Sequence, residues 1–290
     1  MSALFRLRSC AIVAGFALSA TALAAPAVNI VAAENFYGDV VAQVGGPHVK
    51  VVSILNNPDQ DPHLFEASPQ TARAMSHADL VVYNGIDYDP WMEKMLAASP
   101  STTRHSINVG ALLHKKTGDN PHLWYDPATM PAVARALETE LARIDPANKA
   151  DYRRRLDDFL ASLAPLNAKI AKLRLRAHGR PVAATEPVFG YMATALGLPM
   201  RNPRFQIAVM NDTEPSASDI AAFEQDLAQH RIAVLFYNSQ ASNPAASRVR
   251  TRALAAHIPV VGVTETAPAG QHYQGWMLSQ LNALDRALPR

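Results

Sequence analysis

The chain has 290 residues, enough for two modest domains, and with 49% hydrophobic against 18% charged residues it can bury cores and is not a disordered tail. A formal charge of +2 is too small to argue for nucleic acid or for a polybasic membrane contact. The single cysteine excludes a disulfide framework and a multi-cysteine zinc site.

The amino terminus reads as an export signal. Arg6 and Arg8 precede an apolar run over 11–20, and Ala22-Leu23-Ala24 then supplies the small-x-small pattern of a signal-peptidase site. The run is too short for a membrane-anchoring helix. Cys10 lies ahead of the run, the wrong side for a lipoprotein anchor. Residues 1–25 are therefore expected to be a cleaved signal peptide, leaving a thiol-free periplasmic chain without a stable membrane anchor. Cleavage there removes two arginines and no acid, so 25 basic residues face 25 acidic ones.

Short runs rich in Val and Ile then alternate with helical patterns, the signature of α/β architecture with parallel strands. Strands are predicted at 28–32, 49–55, 80–83, 181–185, 232–237 and 260–263. Ser68-Pro69, Asp126-Pro127, Asp145-Pro146 and Asn243-Pro244 each place a capping side chain before a proline at the first helical position. From 146 to about 177, apolar residues from Tyr152 to Leu173 recur at helical spacing, with Pro165 inside as a candidate kink and Gly179 as a stop. Such a helix would be roughly 45 Å long, more than one lobe needs. Its place near the middle of the mature chain suggests a spine between two lobes: 26–145, the linking helix 146–178, and 179–290. A dimerising coiled coil is the competing reading, weakened by its four short heptads and by the crowding of Arg153 to Arg155.

Of the ten histidines, two share similar surroundings, Asp61-Pro62-His63-Leu64 and Asn120-Pro121-His122-Leu123. The proline stiffens each loop and holds the chain extended before the imidazole, which suits the fixed directions a metal demands. Glu186 and Glu265 each follow a predicted strand within a couple of residues, where ligands bind in doubly wound sheets. Glu186 could instead cap the following helix, and Glu265 could be a solvated loop acid.

With these residues stand Glu66 and Pro69, the stretch from Ala78 to Gly85 with Trp91, and Trp124 with Asp126-Pro127. Thr185-Glu186-Pro187-Val188-Phe189-Gly190-Tyr191, Gly262-Val263-Thr264-Glu265-Thr266 and Tyr273 to Met277 complete the pattern. Together they resemble the metal-binding solute receptors of zinc and manganese ABC importers, over nearly all of the mature chain. The resemblance implies two doubly wound α/β lobes with parallel sheets joined by one long helix, and a metal in the cleft between them. It implies four ligands, His63, His122, Glu186 and Glu265. The fourth is usually aspartate in the family, and Asp212 and Glu214 are the other acids that could serve if Glu265 does not. The histidine- and acid-rich loop of many zinc receptors is absent.

Two imidazoles and two carboxylates give a hard-leaning, charge-cancelling set that suits Mn²⁺, although the affinity series favours Zn²⁺. Asp61, Glu66 and Asn120 are candidates to orient the imidazoles, and Phe65, Trp124, Tyr125 and Phe189 to exclude water. The chain is expected to act as a monomer, transporting one divalent ion, Mn²⁺ or Zn²⁺, to an ABC permease. The ATPase would be a separate chain, since this one has no GxxxxGK[ST] loop. A metal-dependent periplasmic hydrolase is the first rival, opposed by four ligands where catalytic zinc keeps an open position and by the absence of HExxH and GxSxG. A receptor for an organic chelate is the second, and an adhesin the third.

Overall fold

The computed structural model describes residues 27–57, 65, 68–241 and 243–289. The expected signal peptide and the motif residues Asp61, His63 and Glu66 lie outside the described residues.

The first lobe runs β1 (Val28–Glu34), α1 (Asn35–Gly45), β2 (Val49–Leu55), α2 (Pro69–Ser76), β3 (Leu80–Tyr83), α3 (Pro90–Ala98), β4 (His105–Asn108), α4 (Val109–Leu112) and α5 (Thr129–Ile144). Its sheet has the order β2-β1-β3-β4, with every pairing parallel. After α6 (Lys149–Ser162) and α7 (Ala164–Ala177), the second lobe runs β5 (Val182–Ala184), α8 (Gly190–Ala195), β6 (Met200–Arg201), α9 (Pro203–Met210), α10 (Ala217–Ala228), β7 (Leu235–Asn238), α11 (Pro244–Ala255), β8 (Val260–Val263) and α12 (Tyr273–Ala287). Its order, β6-β5-β7-β8, repeats the first lobe's topology, again all parallel. Each sheet reverses its winding beside its first strand, and the ends of the central strands there open a crevice.

Strands β2, β3 and β8 match the predicted ranges, β1 extends to Glu34, and β7 begins three residues later than predicted. Strands β4 and β6 were not predicted. His-Ser-Ile-Asn and Met-Arg carry no apolar run, and they are strands because each pairs at the edge of a sheet already formed.

Side-chain alternation explains how the two lobes become one body. Ile30, Ala32, Leu80 and Val82 of one sheet and Val182, Ala184, Phe236, Val261 and Val263 of the other all enter a single apolar core. Their strand neighbours Val31, Ala33 and Val81 face a private outer layer of the first lobe, and Ala183 and Leu235 face that of the second. Aromatic rings cross the shared core: Phe36 stacks on Trp124 at 4.5 Å and lies 5.9 Å from Trp276, and Phe189 stacks on Phe236 at 4.1 Å. A continuous core of this kind opposes large hinge motions, because parting the lobes would expose it.

The predicted linking helix is present as two helices meeting at Leu163. Pro165 sits in the first turn of α7, where its missing N–H costs nothing. Helix α6 packs on α1 and α5, and α7 packs on α12. His178, not the expected Gly179 alone, takes the first left-handed position at the end of α7. Ser68 and Asn243 cap α2 and α11 as expected, each accepting from backbone N–H groups of the first turn. Asp145 differs: its carboxylate accepts instead from the side chains of Asn148 and Tyr152, both at 2.7 Å. Asp126 accepts from the N–H of Ala128, one turn before α5 begins.

Candidate metal centre

His122 opens a single 3-10 turn, Leu123–Tyr125, and is fully buried. Its tautomer follows from the neighbouring amide. The Nδ2 of Asn120 donates to the Pro187 carbonyl at 2.8 Å, so Oδ1 faces His122 and accepts both its backbone N–H at 3.1 Å and ring Nδ1 at 2.7 Å. Nδ1 therefore carries a proton, and Nε2 points away into the protein. Among the described residues Nε2 makes no hydrogen bond, and Oε2 of Glu265 lies 3.5 Å from it. A buried imidazole nitrogen held in this state is a metal donor in waiting.

Pro121 is held just as firmly. Its carbonyl accepts from Asn84 Nδ2 at 2.9 Å, and Asn84 Oδ1 accepts from the Tyr37 hydroxyl at 2.7 Å. Trp124 packs edge-on to the imidazole at 5.3 Å. Of the other aromatic residues expected to exclude water, Tyr125 and Phe189 are buried in the shared core, whereas Phe65 lies against Trp91.

Glu186 and Glu265 both stand just past strand ends, after β5 and β8, and both are buried. Glu186 precedes a 3-10 turn without capping it, so the capping alternative is not what its side chain does. Asn238, the last residue of β7, joins the two acids: its Nδ2 donates to Glu186 Oε2 at 3.0 Å and to Glu265 Oε1 at 2.6 Å. The Tyr88 hydroxyl donates to Glu265 Oε2 at 3.1 Å. Burial, reinforced by the Glu265 charge, holds the Tyr88 phenol well above its ordinary pKa, so it remains a donor. Both donors are neutral and orient the carboxylates without cancelling their charge. Asp212 and Glu214 are exposed beyond α9.

His122, Glu186 and Glu265 thus share one buried locality, with Asn238 at its centre. Among the described residues no three histidine, cysteine or acidic side chains enclose a metal position by themselves. The donor chemistry fits a divalent ion, because one neutral nitrogen faces acids that other side chains already hold in position.

The sequence reading missed Tyr88, Asn238 and Gln240. Tyr88 is delivered by a loop with Ile86 and Asp87 at positive φ, closed by Asp89, whose carboxylate accepts from the N–H groups of Asn84 and Gly85, each at 2.7 Å. Asn238 had one signal, a polar residue ending a buried strand.

A second pair of acids lies in the first lobe. Glu34, at the end of β1, is buried, and neither of its oxygens receives a donor among the described residues. Burial, then the charge of Asp89, push its carboxyl well above the usual range. Burial raises Asp89 itself to about 6.

Solved structures share this fold. The periplasmic zinc-binding protein TroA from Treponema pallidum superposes with a TM-score of 0.77 at 19% identity, over 92% of this chain and 100% of that one. A structure described as ZnuA gives 0.71 at 23% identity, over 90% and 98%. In sequence the chain is 24% identical over 292 positions to the metal ABC transporter substrate-binding lipoprotein SloC of Streptococcus mutans, covering 94% of each. It is 23% identical over 284 positions to the manganese ABC transporter substrate-binding lipoprotein PsaA of Streptococcus anginosus, covering 91% of this chain and 90% of that protein. A family profile matches residues 30–287, and the chain belongs to that family, ZnuA, zinc-uptake complex component A, periplasmic.

Proposed function

We propose that this chain captures a single Mn²⁺ or Zn²⁺ ion between its lobes, using His63, His122, Glu186 and Glu265. The chain is a metal-binding solute receptor that serves an ABC permease, and it is not an enzyme. The observation that carries the site is the buried His122 Nε2, stripped of hydrogen-bond partners among the described residues and turned toward Glu265. Two neutral imidazoles and two carboxylates balance a divalent charge, so the loaded cleft is neutral and can stay closed. Asn238 and Tyr88 hold the two carboxylates in place through neutral donors.

In this reading residues 1–25 are removed on export, 26–145 and 179–290 form the lobes, and 146–178 connects them. The receptor works as a monomer and hands its ion to a permease powered by a separate ATPase.

The test is metal analysis of chain purified without chelator or metal-affinity tag, combined with native mass spectrometry and competition between Mn²⁺ and Zn²⁺. One bare divalent ion per chain is expected, and the competition ranks the two metals. A bound organic mass, or metal-dependent turnover of ester, amide or phosphate substrates, would overturn the proposal.

A further inference from the structure

Between β8 and α12 the chain runs through nine residues of turn and coil, 264–272, which carry Glu265. The segment is buried at 265–267 and exposed from Ala269 to His272. Its buried part is tied down from both lobes. Gln240 Oε1 accepts from the N–H of Glu265 at 2.5 Å and of Thr266 at 2.9 Å, and the Trp276 indole donates to Thr264 Oγ1 at 3.0 Å. From the first lobe, the Tyr125 hydroxyl donates to the Thr264 carbonyl at 2.7 Å.

The last tie lies where the segment turns outward, and it comes from α1. Asn35 grips both backbone groups of Ala267, donating from Nδ2 to its carbonyl at 2.8 Å and accepting its N–H on Oδ1 at 3.1 Å. One turn along the same face, Asp39 Oδ2 accepts the Tyr273 N–H at 2.8 Å, and its Oδ1 lies 2.6 Å from His272 Nδ1. Asp39 thereby places a carboxylate at the first N–H of α12, where the helix dipole favours it. A turn further, Gln43 exchanges hydrogen bonds with Gln274 at 2.8 and 3.2 Å and donates to Asp39 Oδ2 at 2.7 Å, while Gln274 also donates to Ser162 of α6 at 2.7 Å.

The geometry points to Asn35 and Asp39 as a latch across the lobes that holds the Glu265 segment closed and thereby sets how fast the bound ion leaves. This rests on Glu265 being a ligand, as proposed above. Neither residue touches the ion; both are positioning residues. A single amide gripping the N–H and C=O of one residue blocks rotation of the flanking peptide planes, which is the motion that would withdraw Glu265 from His122. Of the other described site residues, Glu186 runs directly into buried Val188 and Phe189, and His122 into buried Trp124, which leaves both less room to move. Among these three, withdrawal begins at 264–272, and losing a tie there acts on dissociation more than on capture.

The experiment loads the full chain with Zn²⁺ and follows its loss to a chromophoric chelator by stopped flow, with association rates measured separately. Asn35→Ala should release the ion roughly 10-fold faster, in line with two lost hydrogen bonds, at an unchanged association rate. Asn35→Asp keeps nearly the same shape and the acceptor for the Ala267 N–H but sets an oxygen against its carbonyl, and it should also speed release. Ser162→Ala removes the tie from α6 to Gln274, touches neither Asn35 nor Asp39, and should release at the wild-type rate. Equal acceleration in Asn35→Ala and Ser162→Ala would mean that general docking of α12, not the latch, controls release, and wild-type rates in both Asn35 variants would equally overturn the inference. His122→Ala separates the two levels: undiminished binding there would remove the site itself, whereas lost binding there with unaltered Asn35 variants would remove only the latch.

Discussion

Each lobe buries a pair of acids near strand ends, Glu34 with Asp89 in the first and Glu186 with Glu265 in the second, and the two pairs are handled in opposite ways. Burial beside the charge of Asp89 holds the Glu34 carboxyl well above the usual range, and Asp89 accepts from the backbone of its own loop. The second pair instead receives an amide and a phenol and faces an imidazole whose Nε2 makes no hydrogen bond among the described residues. Burial and acid content are alike in the two places, so neither makes a site. The difference is the neighbour: backbone N–H groups hold Asp89 in the first pair, whereas in the second an imidazole stands beside the acids in a set that a divalent cation can bridge.

The largest expected effect breaks the second pair's setting. His63→Ala or His122→Ala should abolish high-affinity binding in calorimetric titration while the far-ultraviolet spectrum stays that of the wild type. Next, Glu265→Gln should weaken binding while Glu34→Gln leaves it within about twofold, since only the former changes a proposed donor to the ion. Similar losses in both would erase the distinction between the pairs. Removing the shared amide, Asn238→Ala, should cost roughly 10-fold in affinity, the lower end of what an outer partner of a metal ligand is worth.

The smallest effect is on stability and concerns the first pair alone. A carboxyl whose folded pKa is raised contributes stability that is complete below its unfolded value and is lost as pH climbs through the folded one. Glu34 is raised well above the ordinary range and Asp89 to about 6, so the cost of burying them grows from mildly acidic pH upward. Melting curves of the metal-free protein should therefore show Glu34→Gln matching the wild type near pH 4 and gaining on it toward pH 8. A gain confined to acid would reverse the sign and contradict the raised carboxyl pKa values.

Much of this was legible in the sequence, for reasons that residues show. Val and Ile runs marked the central strands, and the capping residues Ser68 and Asn243 marked helix starts, because both signals are local. The edge strands at His105–Asn108 and Met200–Arg201 were not legible, since pairing with a neighbour creates them. His122 and the acids stood out through proline-stiffened and strand-end positions. Tyr88, Asn238, Asn35 and Glu34 did not, because each acts on a partner far along the chain: Tyr88 on Glu265, Asn35 on Ala267, Glu34 on Asp89. Such meanings exist only once the lobes have closed on each other.

The most direct test of the proposed site is the position of the ion. Anomalous-difference density from crystals of the chain loaded with Mn²⁺ or Zn²⁺ should show one strong peak within bonding distance of His122 Nε2 and of Glu186 and Glu265 carboxylate oxygens. A peak elsewhere on the chain, or one that leaves His122 Nε2 without a bond, would contradict it.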